Sequence, residues 1–215
     1  MMKKGTDVLR TRELMIALFV WAGFSSAAVA DGDIEAGKAA SVPCSACHGQ
    51  DGATGLDGTY PNLAGQNQKY MLRTLQEIRD GGRNIPLMAG QLNGKSDDDL
   101  NDLAAYYASL PSKVGQAQGD DDTIALAEKL YRHGDVPRGV PSCTSCHAPG
   151  GNGNGPAGFP QIGGQPVEYT IAQLTAYREG QRATDEPYGG MMRDIARGLT
   201  DTEIAALADY ILGLN

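Results

Sequence analysis

One pentapeptide pattern, Cys-x-x-Cys-His, occurs twice in the chain. The first copy runs from Cys44 to His48 and the second from Cys143 to His147, so the copies begin 99 residues apart. On a helical turn, residues three and four apart share one face, and two such thiols can reach the two vinyl groups of one porphyrin. The next histidine can then place its imidazole on the iron. The pattern predicts two covalently attached c-type haems. The haem-binding cysteines are Cys44, Cys47, Cys143 and Cys146, and the proximal iron ligands are His48 and His147.

Two other kinds of site use paired cysteines, and both fit this sequence less well. A dithiol redox site of the thioredoxin type lies beside a βαβ pattern, and no strand pattern surrounds either motif. Structural zinc sites usually bring their cysteine pairs much closer together in sequence. All four cysteines of the chain belong to the two motifs, which favours covalent haem.

The first 30 residues have the three parts of a secretory signal peptide. A basic segment precedes a short apolar stretch from Leu14 to Phe24, and Ala28-Val29-Ala30 supplies a cleavage site. We therefore expect residues 1–30 to be removed and the mature protein to lie in the periplasm. An uncleaved anchor is the alternative, although the apolar stretch is short for a membrane span. The basic residues are Lys3, Lys4, Arg10 and Arg12.

The chain is acidic, and its charge restricts the kinds of partner it can have. The formal net charge is −8, and it becomes −10 without residues 1–30. Such a charge argues against nucleic acid or an anionic lipid surface as a partner and permits steering toward a basic protein surface. The remaining 185 residues suit two small domains, and a haem can replace much of the core that a small domain lacks.

An internal repeat extends well beyond the cysteine motifs. Residues 61–66 align with residues 160–165 at the same 99-residue offset, and five further pairs follow. These pairs are Tyr70 and Tyr169, Leu75 and Leu174, Arg79 and Arg178, Gly81 and Gly180, and Arg83 and Arg182. The repeat predicts one domain over residues 31–111 and a second over 123–215, with residues 112–122 as a linker rich in Gly, Gln and Asp.

Helical periodicity and capping signals indicate an all-α fold, with one haem in each domain. We expect helices over residues 33–41, 68–80 and from 123 to about 133. Ser96 with Asp99, and Thr200 with Glu203, form capping boxes that open the last helix of each repeat. These boxes lie 104 residues apart, so five residues are inserted between Arg182 and Thr200.

The sixth iron ligands are predicted from the few histidines and methionines that remain. His133 is the one histidine outside the motifs, and we expect it to lie exposed at a helix end. A thioether is the other common axial ligand in electron-transfer cytochromes. Met71 lies on an apolar helix face and fits the core. Met88 and Met192 each precede a helix cap by eight residues, which makes them the matching candidates, with Met191 as the alternative to Met192.

The sequence closely resembles the dihaem cytochrome c4 family along essentially the whole mature chain. The shared features are both haem motifs, the P-x-[LI]-[AG]-G-Q segments, the Y-x-x-x-x-L helices, the methionine loops and the ending from Tyr210 to Leu214. The resemblance implies two class I cytochrome c folds whose haems face each other across the domain interface, with Met192 as the second axial methionine. It also implies that the carbonyls of Pro61 and Pro160 accept hydrogen bonds from the proximal histidines.

The same resemblance implies an electron carrier rather than an enzyme. The donor would be a quinol-oxidising complex or a dehydrogenase, and the acceptor a haem–copper terminal oxidase. Members of the family are periplasmic and often associate with the membrane. Two alternatives remain: a cytochrome subunit bound to a dehydrogenase, and a dihaem peroxidase. A peroxidase needs one open iron position, and a candidate methionine for each haem argues against it.

Overall fold

Helices in the same order build both halves of the chain, apart from one additional helix in the second half, and the computed structural model describes residues 32–214. In the first half, α1 spans Ile34–Ala40, α2 Ser45–His48, α3 Gln68–Arg79 and α4 Asp97–Ser109. In the second half, α5 spans Asp121–His133, α6 Thr144–His147, α7 Val167–Arg178, α8 Met191–Arg197 and α9 Asp201–Leu212. Extended pairing within residues 32–214 is limited to two isolated bridges, which confirms the all-α prediction. The predicted signal peptide lies outside the described residues.

Capping boxes begin the last helix of each half, as the sequence predicts. Ser96 Oγ accepts from the Asp99 N–H at 3.1 Å, while Asp99 Oδ2 accepts from the Ser96 N–H at 2.8 Å. In α9, Thr200 Oγ1 accepts from the Glu203 N–H at 3.3 Å, and Glu203 Oε2 accepts from the Thr200 N–H at 2.9 Å. Each box satisfies N–H groups that a helix start leaves unpaired, so these starts are set locally.

Helix α5 begins earlier than the sequence suggested. It starts at Asp121, two residues before the predicted start at Thr123, because Asp120 acts as the N-cap. The Asp120 carboxylate accepts from the Thr123 N–H at 2.9 Å. Acidic residues in a first turn also complement the positive end of the helix dipole. Two of the aspartates assigned to the linker therefore belong to the helix.

The last helix of each half forms the centre of a separate apolar core. Helix α4 contributes Leu100 and Leu103 to the first core, where Met71 and Leu92 contact them. In the second core, α9 packs against α5 and α7. Its largest fully buried side chains are Ile204 and Leu207 of α9 and Tyr131 of α5. The prediction that Met71 is a core residue is confirmed, since it is 4% exposed.

The two halves differ most in the segment between their third and last helices. In the first half this segment forms one 3-10 turn, Pro86–Met88, followed by irregular turns. In the second half a 3-10 turn, Glu186–Tyr188, precedes α8, which contains Met192. Gly90 and Gly94 adopt positive φ in the first half and prevent a helix there, whereas residues 191–197 contain good helix formers. The five inserted residues lie just before α8.

The connecting segment before α5 packs against the second half. The backbone N–H groups of Gln118 and Gly119 both donate to the Asp209 carboxylate, at 2.9 Å and 2.8 Å. Gly65 has φ +73°, and a Cβ there would lie 2.7 Å from the Ser112 side chain. The segment is therefore held by specific contacts at both ends. None of the helices within residues 32–214 is long and apolar enough to cross a lipid bilayer.

Candidate haem sites

Each cysteine motif ends in a one-turn helix, with the first cysteine of the motif as its N-cap. Helices α2 and α6 end at His48 and His147, and both histidine side chains are buried, at 6% exposure. The next residues, Gly49 and Ala148, have φ of +82° and +63°, so the chain turns sharply after each histidine. Ala148 is the one non-glycine residue with positive φ in the described chain. Its carbonyl accepts a hydrogen bond from the buried Tyr131 hydroxyl at 2.7 Å, which stabilises this turn.

Both proximal histidines are held in the tautomer that can ligate iron. His48 Nδ1 lies 3.0 Å from the Pro61 carbonyl oxygen, and His147 Nδ1 lies 3.0 Å from that of Pro160. Because a carbonyl can only accept, Nδ1 carries the proton and the Nε2 lone pair is left for the metal. Burial lowers the pKa of both histidines, which favours the neutral ring. The hydrogen bonds that the family resemblance implies are present.

The first cysteine of each motif lies in surroundings that do not favour a reactive thiolate. The four cysteines are each partly buried. Burial raises the pKa of Cys44, and it raises the pKa of Cys143 to about 11, whereas a reactive thiolate needs a lowered pKa. Within residues 32–214, no three His, Cys, Asp or Glu side chains cluster in a way that could hold a metal ion. The structure gives the zinc alternative no support.

The methionines separate into exposed, buried and intermediate side chains. Met88 is half-buried and packs against the first core, which Cys44 also contacts. Met192 is half-buried, whereas Met191 is 41% exposed. Four residues after each candidate ligand, Leu92 and Ala196 are both buried, which supports the alignment of the two methionine loops. Met88 and Met192 remain the predicted axial ligands, and the structure favours Met192 over Met191.

The remaining spare histidine does not belong to either site. His133 is the last residue of α5, and its side chain is exposed, as predicted. Tyr60, unlike His133, lies beside a proximal histidine: its ring is edge-on to the His48 ring, and the two ring centroids are 6.0 Å apart.

Sequence reasoning missed a set of buried amides that join the two halves. Gln66 Nε2 donates to the Gln161 carbonyl at 2.8 Å, and Gln165 Nε2 donates to the Asn62 carbonyl at 2.8 Å. Gln66 and Gln165 end the repeated P-x-[LI]-[AG]-G-Q segment, so the shared glutamine was the available signal. The segments that hold the proximal histidines are therefore also the segments that meet between the halves.

Comparisons with known proteins agree with the site geometry. The cytochrome c family profile matches residues 34–111 and 125–215. Cytochrome c4 of Pseudomonas aeruginosa is 42% identical over 203 residues, which cover 94% of this chain and 99% of that protein. A thiosulfate dehydrogenase electron acceptor of Stutzerimonas stutzeri is 34% identical over 177 residues, covering 82% of this chain and 81% of that protein.

A solved structure has the same arrangement. Reduced recombinant cytochrome c4 from Pseudomonas stutzeri superimposes with a TM-score of 0.81 at 44% identity, covering 86% of this chain and all of that one. The two haem motifs, the matched profile and this structural likeness lead to one assignment. The chain belongs to the dihaem cytochrome c4 family, with two cytochrome c domains that each carry one covalently bound c-type haem.

Proposed function

We propose that the protein is a periplasmic electron carrier that accepts electrons from a dehydrogenase or a quinol-oxidising complex and delivers them to a terminal oxidase. The observation that carries the proposal is the matched pair of sites, each with a buried histidine presenting Nε2 and a half-buried methionine in the corresponding loop. The bound haem supplies reversible one-electron exchange between ferric and ferrous iron.

Two prolines orient the proximal histidines, and the proposed methionine ligands would close each iron to substrates. Pro61 and Pro160 orient the rings of His48 and His147 and raise their basicity toward the metal. With Met88 or Met192 as the sixth ligand, neither iron would have an open position for a substrate. A thioether ligand also raises the reduction potential, as a carrier that feeds an oxidase requires.

Electrons are proposed to pass between the domains, which we place at residues 31–111 and 123–215. Support comes from chain continuity: Pro61 binds the proximal His48, and the next residue, Asn62, bonds to the second domain. Gln161 follows Pro160 in the same way and bonds to Gln66. A rigid interface next to both proximal ligands favours a fixed separation between the two haems.

Two exposed apolar side chains near the predicted haem-binding residues of the first domain support a transient docking surface. Val42 and Leu87 are 69% and 68% exposed, and they lie beside Cys44 and Met88 in the chain. Redox encounters usually bury a small area, and an acidic carrier is steered toward a basic partner.

A second candidate, in the same class, is the dedicated electron acceptor of a dehydrogenase. The observation that favours it is the similarity to the thiosulfate dehydrogenase electron acceptor over most of both chains. Co-purification of a second polypeptide at fixed stoichiometry would support this candidate.

The test of the main proposal uses the reduced holoprotein and membranes that contain a terminal oxidase. We expect oxygen-dependent, cyanide-sensitive oxidation that slows as salt increases. A holoprotein that the membranes cannot oxidise, but that a purified dehydrogenase reduces rapidly, would favour the second candidate. Rapid turnover of hydrogen peroxide with a reduced donor would argue for an enzyme instead.

A further inference from the structure

The turn that follows the second proximal histidine has a backbone conformation that alanine rarely adopts. Ala148, directly after His147, has φ +63° and ψ 162°. Glycine occupies this region of backbone space almost alone, because it has no Cβ to crowd the neighbouring peptide groups. The matching residue of the first domain is Gly49, with φ +82° and ψ 157°. Alanine keeps such a conformation only where the surrounding structure holds it in place.

A buried phenol holds the Ala148 carbonyl. The Tyr131 hydroxyl donates to this oxygen at 2.7 Å, and the Gly151 N–H donates to it at 3.1 Å. In the first domain, the Gly49 carbonyl accepts the corresponding backbone bond from Gly52 at 3.1 Å, and within residues 32–214 no side chain donates to it. The additional bond therefore occurs at the turn that needs support.

Tyr131 is itself held firmly enough to fix this turn. Its side chain has no exposed surface and belongs to the core of the second domain. Its ring packs against that of Tyr210 in α9, with the two ring centroids 5.6 Å apart. Because α5 and the apolar core both restrict the ring, the position of the Tyr131 hydroxyl determines where the Ala148 carbonyl points.

The first domain cannot hold a tyrosine at the matching position. Gly32 lies 99 residues before Tyr131, and a Cβ on Gly32 would collide with the Asn101 carbonyl oxygen. The buried tyrosine near the first haem motif comes from α4 instead: a Cβ on Gly52 would lie 2.9 Å from the ring of Tyr107. Two sites that match in their motifs therefore differ in the tyrosine that supports them.

The Ala148 turn also determines how His147 is held. His147 Nδ1 lies 3.0 Å from the Pro160 carbonyl oxygen, and the His147 carbonyl accepts from the Gly153 N–H at 2.9 Å. Both partners lie in the segment that this turn directs back over the histidine. The bond from Nδ1–H raises the basicity of the ring toward the metal and so favours ferric iron. Relaxation of Ala148 toward negative φ would loosen this bond.

We propose that Tyr131 is a positioning residue for the second haem, which sets the orientation of His147 and the reduction potential of that haem by holding the Ala148 turn. This role depends on ligation of the second iron by His147, on which the proposed function also rests. Because the first domain has no counterpart of the Tyr131 bond, the two haem sites are chemically unequal although their motifs match.

The test compares Tyr131→Phe with the wild-type holoprotein by redox titration and by proton NMR of the reduced protein. The variant keeps the ring and loses the hydroxyl, so one of the two potentials should rise, because a looser Nδ1–H bond favours ferric iron less. Solvent exchange of the His147 Nδ1 proton should become about tenfold faster, as loss of one hydrogen bond would cause, whereas that of His48 should not change. Tyr210→Phe is the matched control, since it removes a hydroxyl of the same core that lies beside Arg132, and it should leave both quantities unchanged.

A second substitution, Ala148→Gly, separates positioning from packing. Glycine adopts this positive φ without support, so Tyr131→Phe should have little effect on potential or exchange in the Ala148→Gly background. A loss of packing alone would admit water near the haem and lower the potential, and it would do so in both backgrounds.

Three results would overturn the proposal. They are an unchanged or lower potential in Tyr131→Phe, an unchanged exchange rate of the His147 Nδ1 proton, and a shift of the same size in both backgrounds. If Tyr131→Phe does not accumulate, recovery of holoprotein by the double variant supports the proposal, and failure to recover it contradicts the proposal. Failure of the proposed function would be seen in the wild type itself, as absence of the thioether band or of oxidase-dependent oxidation.

Discussion

Gln66 of the first domain and Gln161 of the second are joined by two hydrogen bonds across the domain interface. Gln66 Nε2 donates to the Gln161 carbonyl at 2.8 Å, and its Oε1 accepts from the Gln161 N–H at 2.8 Å. Gln165 makes the same pair of bonds with the backbone of Asn62, at 2.8 Å and 3.1 Å. Gln165 follows Gln66 by 99 residues, and Gln161 follows Asn62 by the same number. The two pairs of bonds are therefore related by an approximate two-fold axis.

We expect Gln165→Leu to weaken this interface. The substitution leaves the Asn62 N–H and carbonyl without their amide partner, and Asn62 is 5% exposed. Each buried polar group left unpaired costs about 1–3 kcal/mol. Urea unfolding of the holoprotein measures the loss. Gln116→Leu, at an exposed position of the connecting segment, is the control and should change stability little. Equal stability of both variants would mean that water replaces the lost bonds.

The axial ligands are tested by single substitutions of the three methionines. Met88→Ala or Met192→Ala should halve the weak long-wavelength band that marks iron–thioether ligation. The covalent haem should remain, and the potential of that haem should fall, because replacement ligands such as water favour ferric iron. Haem staining on a denaturing gel, together with a redox titration, follows both effects.

Met191→Ala is the control for this series, because Met191 is 41% exposed. It should preserve the full band. If Met191→Ala removes half of the band and Met192→Ala does not, the alignment of the two loops is wrong by one residue. If neither substitution has an effect, the second haem has another ligand.

The capping box of α9 should give the second domain a pH-dependent contribution to stability. Arg138 Nη1 donates to Glu203 Oε2 at 3.2 Å, and with the capping bonds from Thr200 this lowers the pKa of Glu203. The contribution is therefore complete above the pKa of glutamate in the unfolded chain and is lost as pH falls through the lowered folded value. Glu203→Gln should cost about 1 kcal/mol at pH 7, and the difference from wild type should shrink below about pH 4.

Denaturant titrations between pH 7 and pH 3 measure this difference. Asp98→Asn, on the exposed first turn of α4, is the control for losing a carboxylate near a helix start. A gap between Glu203→Gln and wild type that stays constant over this range would show that the ionised carboxylate is not the source.

We expect Asp209→Ala to release the connecting segment. The Asp209 carboxylate accepts hydrogen bonds from the N–H groups of Gln118 and Gly119, and without this carboxylate the segment should open more often. Limited proteolysis should then cut faster between the domains, within residues 112–120. Asp194→Ala, whose ion pair with Arg197 is exposed and 3.8 Å long, should be cut at the wild-type rate. Equal rates for all three proteins would place the restraint elsewhere.

Local signals in the sequence predicted the helices and the haem motifs well. The capping boxes and the exposed end of α5 follow from interactions within a few residues. The start of α5 was misassigned because a run of aspartates fits both a linker and a helix start. Helix α8 was not expected, because its counterpart in the first domain is irregular.

The contacts between the domains could not be predicted from local signals in the sequence. Gln165 and Asn62 are 103 residues apart, and their pairing depends on how two folded domains dock. Gln173, which accepts hydrogen bonds from two buried arginines, is matched by Thr74 in the repeat, so symmetry gave no hint of its role. Hydrophobic periodicity also predicts which face of a helix is buried in a core, but it does not show which polar residues become buried at an interface.

We expect the chain to carry two closed, electron-transferring haems. A redox titration of the purified holoprotein, followed by visible spectra and paired with a pyridine haemochrome assay, tests it most directly. We expect two haems per polypeptide, uptake of two electrons in one-electron steps, and low-spin spectra in both oxidation states. One haem per chain, or a high-spin haem that reacts readily with hydrogen peroxide, would contradict the account.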